Sequence, residues 1–356
     1  MSRLRRADPG SPGFTRRRHG SGWQYLDAAG ERLGDAEALA RVRALVIPPA
    51  WEDVWICPEP TGHVQATGSD ARGRRQYVYH PDWHLQRSRA KFDDMLSFAH
   101  VLPVLRERVA EDLDKPTLSS QQVLAVTVRL LDRGFFRIGS EGYAADNGTY
   151  GLATMHKKHV RIVDDAVLFD FTAKHGLRRV QHVVDPVSAA VVGKLKRRRG
   201  GSPELLAYRQ SGTWLDVRSE HINAYLKDRT GLDVSAKDFR TWNATVLASI
   251  ALSVTGAARD SQAARRRLEV RAVKEVARYL GNTPAVARSS YIDPRVFDRF
   301  RSGLTIGAAL ENGLALSDGP PHPAQGPYAD GVESAVLELI DAREGAPALG
   351  AGLRAA

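Results

Sequence analysis

Over the first eighty positions apolar residues recur at every second place in short runs. The segments GWQYLDAAG, VWICPE, GHVQATG and RRQYVYH predict the strands of a small twisted sheet. After Pro81 the spacing lengthens to three and four residues. WHLQRSRAKFDDMLSFAHVLPVLRERVAEDL predicts helix with a break near Pro103, and LSSQQVLAVTVRLLDRG predicts another, capped by Thr117 or Ser119 and stopped at Gly134. Between 159 and 184 the period returns to two, and HVRIV, AVLFDFTAK and LRRVQHVV, joined by the turns DD and HG, predict a three-stranded antiparallel meander. Helices resume at Pro186. SEHINAYLKDRTG reads as a capped helix ending at Gly231, and in SAKDFRTWNATVLASIALSV the residues Phe239, Trp242, Val246, Ser249 and Ile250 share a face, with Arg240 one step away at the edge of the core. After a break at Gly256, DSQAARRRLEVRAVKEVARYLG sets Val270, Val273, Ala277 and Leu280 on one face and stops at Gly281.

These elements predict an α+β protein. A disordered basic arm over 1–21 precedes a β-rich domain over 22–81. A mainly helical domain with a three-stranded antiparallel sheet follows over 82–300, and then a Gly/Pro/Ala-rich tail over 301–356, with one short helix in DGVESAVLELI. The chain is long enough, at 356 residues, to bury a full core without a disulfide or a metal. Its single cysteine, Cys57, forms no internal bridge and no zinc cage. The basic, Pro/Gly-rich N-terminus lacks the apolar run of a signal peptide, and no stretch is long enough to span a bilayer, so the expected setting is cytoplasmic.

Charge adds a partner class. Lys and Arg number 51 against 41 Asp and Glu, a net charge of +10, with a pI near 9.8. A polyanion is the natural partner of such a surface, although any Arg-rich protein shares the balance. The arm with Arg3, Arg5, Arg6, Arg16, Arg17 and Arg18 is either a solvated tail or a loose grip on phosphates. In TGHVQATGSDARGRRQYVYH, Arg72, Arg74 and Arg75 stand beside Gln76, Tyr77 and Tyr79, around a turn in which Gly73 supplies positive φ. This is either an amphipathic edge strand or a β-ribbon that sets Arg on phosphates and Gln on a base edge. The cluster KLKRRRGGSP is an exposed loop near nucleic acid or a charged linker.

Single residues leave alternatives of the same kind. Arg137, after Phe135 and Phe136 at a helix end, is either ion-paired or aimed at an anion. Lys174, at the hairpin tip in AKHGLR, is either solvated or delivered into a groove. Tyr291 follows Gly281, Asn282, Thr283 and Pro284 by a short helix and precedes Pro294, which places it near a helix terminus. It is either a packing residue with a wet hydroxyl or a nucleophile, and a phenol with pKa about 10 attacks only with cations beside it.

The order Arg137, Lys174, Arg240, Asn282, Tyr291, in the contexts FFRIGSEGY, TYGLATM with KHV, FTAKHGL, KDFRTW and LGNTPAVARSSYIDP, resembles the type IB DNA topoisomerases. The compact poxvirus-like and bacterial members are nearer than the large nuclear enzyme, and the likeness runs from about Trp23 to Phe297. The resemblance implies a fold of the tyrosine recombinase/topoisomerase IB kind and a monomer acting on double-stranded DNA at the nucleoid. It also implies relaxation of supercoils of either sign through a 3′-phosphotyrosyl link, without ATP, metal or other cofactor. Tyr291 would attack phosphorus, Arg137 and Arg240 would grip the non-bridging oxygens, and a desolvated Lys174 would protonate the departing 5′ oxygen. Asn282 stands where many members carry His; an amide donates a hydrogen bond but transfers no proton. Gln76, Tyr77 and Tyr79 match positions that touch DNA in the poxvirus-like enzymes, flanked here by Arg74 and Arg75. Alternation along the strand separates Gln76 from the tyrosines, so a bulge or contacts from the strand's edge are required. Tyrosine recombinases share the chemistry but commonly carry His three residues before the second arginine, where this chain has Lys237. A non-catalytic DNA clamp is the remaining alternative.

Overall fold

The computed structural model describes residues 3–254, 261–314, 328 and 331–341. The chain is mixed α and β, with strands confined to small antiparallel sheets, and it divides into two compact units, 1–93 and 94–356.

In the first unit, β1 (Thr15–His19) pairs with β2 (Gly22–Leu26), and β3 (Glu52–Ile56), β4 (Val64–Ser69) and β5 (Arg75–Tyr79) form a sheet in the order β3-β4-β5. Helix α1 (Ala36–Ala44), which the strand-dominated reading missed, is capped by the Asp35 carboxylate and buries Val42 beside Leu33, Ile47, Val54, Ile56 and Ala66.

The described part of the arm, 3–21, is ordered rather than disordered. Phe14 and Ile56 exchange backbone hydrogen bonds of 2.8 and 2.7 Å, Arg5 bonds to Thr61, and the Trp55 indole donates to the Ser11 carbonyl at 2.8 Å. The Arg16 guanidinium donates to the carbonyls of Ile47, Pro48 and Trp51. Composition counted too few apolar residues, but the bonding partners come from a strand forty residues away.

Helix α2 (Pro81–Leu113) continues through Pro103, where a break was expected. A proline inside a helix costs about 3 kcal/mol. The neighbouring turns bury Phe98, Leu102 and Leu105 almost completely, at about 1.5–3 kcal/mol each. The division between units falls inside α2, at residues 93 and 94, and not at Pro81. Trp83 accounts for the shift: its ring lies 4.7 Å from His63 and 6.3 Å from Tyr79, which fastens the start of the helix to the first unit.

The second unit is mainly helical. Helix α3 (Ser120–Gly134), capped by Ser119, is followed by α4 (Glu141–Asn147). The expected meander is present as β6 (Val160–Val163), β7 (Ala166–Ala173) and β8 (Leu177–Val184), in that order. Next come α5 (Pro186–Arg197), an unforeseen hairpin of β9 (Ala207–Gln210) and β10 (Thr213–Asp216), and α6 (Ser219–Thr230). In the basic cluster between them Arg198 is buried and donates to the carbonyls of Ser202, Glu204 and Leu205, so this arginine holds the loop.

Helix α7 (Ala236–Ser253) is buried almost all round, and Arg240, expected at the edge of the core, is 4% exposed. On α8 (Gln262–Leu280) Val273, Ala277 and Leu280 are buried but Val270 is 52% exposed, because the buried stripe turns toward Glu269 and Val276. The break expected at Gly256 lies outside the described residues. Two short helices follow, α9 (Pro284–Ser290) and α10 (Pro294–Arg301), and Pro294 opens the latter as its first residue.

The tail is in part core. After α11 (Gly307–Leu314), α12 (Val332–Asp341) buries Val332, Val336 and Ile340. Glu333 accepts from the Arg106 guanidinium on α2 and, at 2.7 Å, from the Trp242 indole on α7. Among the described residues no helix is long and apolar enough to cross a membrane.

Replacing Glu333 by Ala leaves a largely buried guanidinium with Asp132 as its remaining carboxylate. We expect a loss of about 2–3 kcal/mol, seen as a lower urea midpoint with an unchanged slope. An unchanged midpoint would show that the Glu333 contacts to Arg106 and Trp242 add nothing to the folded unit.

Candidate active site

Four of the five residues singled out in the second unit meet at the C-terminal end of α8. The helix stops because Gly281 takes the left-handed conformation (φ +62°), with Asn282 N–H returning to the Ala277 carbonyl at 3.0 Å. The Thr283 hydroxyl caps α9, and Pro284 fills its first position. Tyr291 closes that helix, its N–H donating to Ala287 O at 3.0 Å. Two residues on, the Asp293 N–H donates at 3.1 Å to the Thr245 hydroxyl, which ties the segment to α7.

Arg240 enters from the second turn of α7. Its guanidinium donates to the Leu280 carbonyl at 3.0 Å and to the Phe135 carbonyl, thereby capping α8 and α3 together. The same guanidinium lies 5.2 Å from the centroid of the Tyr291 ring, and its Nε is buried without a partner. Arg137 arrives on the loop after α3, donating to Gly281 O at 2.9 Å and to Asn282 Oδ1.

That loop owes its shape to two glycines. A Cβ at Gly139 (φ +83°) would lie 2.8 Å from the Gly151 Cα, and one at Gly151 would lie 2.4 Å from the Gly139 Cα. FFRIGSEGY and TYGLATM therefore cross at backbone contact, and the Leu152 N–H donates to the Arg137 carbonyl at 2.8 Å.

The guanidinium groups of Arg137 and Arg240 donate to carbonyls and one side-chain amide, with no carboxylate among these acceptors. The ion-pair alternative for Arg137 is thus set aside. Burial lowers the pKa of Arg137, with the Tyr291 phenolate opposing. Arg240 is pushed down to about 10, first by burial and then by the charge of Arg137. For Tyr291 burial is the largest single influence and raises the phenol. The charge of Arg240, the hydrogen bond to it, Arg137 and Lys237 together outweigh burial, and the phenol falls below its usual 10. A buried and a half-buried cation with no carboxylate partner are costly unless an anion joins them, so this is a place for one. Asn282, with Oδ1 taken by Arg137, keeps Nδ2 as a buried donor without a partner.

Lys174 is not brought to the other four. It stands exposed in a 3-10 turn between β7 and β8, where His175 and Gly176 have φ of +68° and +72°. The desolvation expected of it is absent here. Two other cations in the neighbourhood were not singled out as site residues. Lys237, noted only for its spacing, lies one turn before Arg240 and helps to depress the Tyr291 phenol. Arg179, on β8, donates to the carbonyls of Arg278 and Tyr279 at 2.9 and 2.6 Å. Its only sequence signal was a charged position in an otherwise inward-facing register. Among the described residues no group of three His, Cys, Asp or Glu is placed to hold a metal.

In the first unit the nucleic-acid candidates lie on the edge strand β5, with Arg74 just before it. Tyr77 is 48% exposed and its ring stacks on that of Tyr79, with centroids 5.8 Å apart. Gln76 does not join them: its amide donates to the Asp70 carboxylate at 2.9 Å. The register irregularity lies on β4, between Val64 and Ala66, so β5 keeps its alternation, and the edge remains the route for a shared contact. Arg74 makes a two-pronged pair with Asp70, at 2.9 and 2.7 Å, and Arg75 reaches the Thr67 hydroxyl at 2.7 Å. Asp70 is pulled down to about 2, chiefly by its hydrogen bond to the Arg74 side chain.

Comparison with known proteins bears on most of residues 22–303. Residues 80–303 match the family model for the catalytic core of eukaryotic DNA topoisomerase I, and residues 22–70 match the model for the N-terminal domain of bacterial DNA topoisomerase IB. DNA topoisomerase 1B of Acanthamoeba polyphaga mimivirus is 28% identical over 261 residues, covering 71% of this chain and 77% of the viral protein. DNA topoisomerase I of monkeypox virus and DNA topoisomerase 1B of vaccinia virus are each 26% identical over 255 residues, covering 70% of this chain and 75% of theirs.

Proposed function

Because the chain belongs to the type IB DNA topoisomerases of the compact poxvirus-like and bacterial kind, we propose that Tyr291 is the nucleophile by which it cuts and reseals one strand of duplex DNA. The observation that carries this reading is the pair of guanidinium groups beside the phenol, Arg240 buried and Arg137 half-buried, bonded to carbonyls and an amide and to no carboxylate.

A DNA phosphate is the anion that completes the site. Arg137 and Arg240 hold its non-bridging oxygens and stabilise the extra negative charge of the pentacoordinate transition state. The Tyr291 oxygen, its proton released to solvent, bonds to phosphorus in line with the 5′ oxygen. The bond from phosphorus to that oxygen breaks as a proton passes to it from the Lys174 ammonium. A 3′-phosphotyrosyl link remains, and the freed 5′ end rotates. Attack by the 5′ hydroxyl on the same phosphorus, its proton returning to the Lys174 amine, then expels the phenolate and restores the strand. One phosphodiester replaces another throughout, so no nucleotide is consumed. Asn282 donates its free Nδ2 hydrogens to a non-bridging oxygen as a pure stabiliser.

The mainly helical unit is read as the tyrosine recombinase/topoisomerase IB-like catalytic fold. The N-terminal unit adds contacts to the same duplex through Arg74, Arg75, Gln76, Tyr77 and Tyr79. Release of Asp70 accompanies those contacts, since Asp70 holds Arg74 and Gln76 in the free protein. The enzyme acts as a monomer at the nucleoid.

The test is covalent transfer from a duplex whose scissile strand carries a 5′ label and ends a few nucleotides past the cut. The parent becomes labelled, whereas Tyr291→Phe binds the duplex without ever becoming linked; label on that variant would assign the nucleophile elsewhere. On the same substrate Asn282→Ala slows cleavage by about a hundredfold, the scale of losing one preorganised donor. Asn282→His keeps most of the rate, and equal losses in the two variants would remove the stabilising role.

A further inference from the structure

The last four carbonyls before Asn282 are each taken by an arginine. Arg278 and Tyr279 accept from Arg179, Leu280 from Arg240, and Gly281 from Arg137. Arg137 and Arg240 adjoin the phenol. Arg179 instead comes from β8, and β7 and β8 form the hairpin that carries Lys174 at its tip.

Along β8 the side chains of Arg179, Gln181 and Val183 are turned inward, while Arg178, Val180, His182 and Val184 are exposed. Gln181 donates to the Gly134 carbonyl. Arg179, paired with Phe171 across the sheet, is the last inward polar anchor before the turn. Beyond it Leu177 is 57% exposed, and Arg178 pairs with Asp170 on the neighbouring strand. The corner it grips is shaped to receive it: a Cβ at Gly281 would lie 2.8 Å from the Arg179 Nη1.

We propose that Arg179 is a positioning residue for the cleavage reaction, fixing the Lys174 hairpin to the corner that carries Asn282 so that the ammonium is delivered to the departing 5′ oxygen. The inference rests on the reading of Lys174 as the general acid. A planar fork that spans two successive carbonyls sets distance and direction together, which the single ammonium of lysine does not. Arg179 touches no reacting atom; it acts through Lys174.

The experiment compares single-turnover cleavage of two duplexes by the full chain. One is unmodified, and the other carries sulfur in place of the departing 5′ oxygen. A thiol of pKa about 8.5 leaves as thiolate with no proton supplied, so the second substrate needs no acid. We expect Arg179→Ala to lose about tenfold to a hundredfold on the oxygen substrate, the scale of a misplacement near 1 Å. It keeps the parental rate with sulfur, as Lys174→Ala does, and Arg179→Lys falls between parent and Ala with oxygen.

The parental rate with sulfur also shows that the variant is folded around Tyr291. Equal loss on both substrates by Arg179→Ala, beside a rescued Lys174→Ala, would overturn the positioning role and leave the acid in place. An unchanged rate on both would overturn it equally. If Lys174→Ala is itself as slow with sulfur as with oxygen, the general-acid reading fails, and the role of Arg179 fails with it.

Discussion

The C-terminal end of α8 is the point on which the catalytic unit depends. The last carbonyls of a helix have no partner within it and carry partial negative charge. Here arginines from three distant segments satisfy them, each bringing a full positive charge to one corner. Carbonyl dipoles hold the guanidinium groups in place without neutralising them. A carboxylate in the same position would have cancelled the charge that a phosphate requires. The depressed phenol of Tyr291 follows from this arrangement, since uncancelled cations outweigh the burial that would otherwise raise it.

Several features of the fold serve that corner. Gly281 is left-handed and leaves room for Arg179. The crossing of Gly139 and Gly151 aims the Arg137 loop, and Arg240 bridges the ends of α3 and α8 from a helix that is buried nearly all round. That helix is in turn held by α12, through Glu333 and Trp242. Lys174 stands apart, exposed on its turn. The cations beside Tyr291 are thus anchored on backbone carbonyls, while Lys174 has solvent around it.

Much of this was legible in the sequence wherever one local rule decided the matter. The period-two runs marked the meander and its turns, the Gly281-to-Pro284 stop and restart placed Tyr291 at a helix end, and Thr117 and Ser119 bracketed the cap of α3. The order of the five motifs identified the family before any geometry. What was not legible depended on partners far away in the chain. The arm 3–21 is ordered by β3, Pro103 is carried by buried neighbours, and α12 is held by Arg106 more than two hundred residues earlier. Arg240 looked like an edge residue because its two carbonyl acceptors lie 105 and 40 positions distant. Arg179 offered no motif at all, and only the folded hairpin shows what it touches.

The most direct measurement is relaxation of negatively and positively supercoiled plasmid with EDTA present and ATP absent, run beside Tyr291→Phe. Relaxation of both signs by the parent and of neither by the variant is the predicted result. Tight duplex binding without relaxation by the parent, or relaxation by Tyr291→Phe, would contradict a type IB activity centred on this phenol and its arginines.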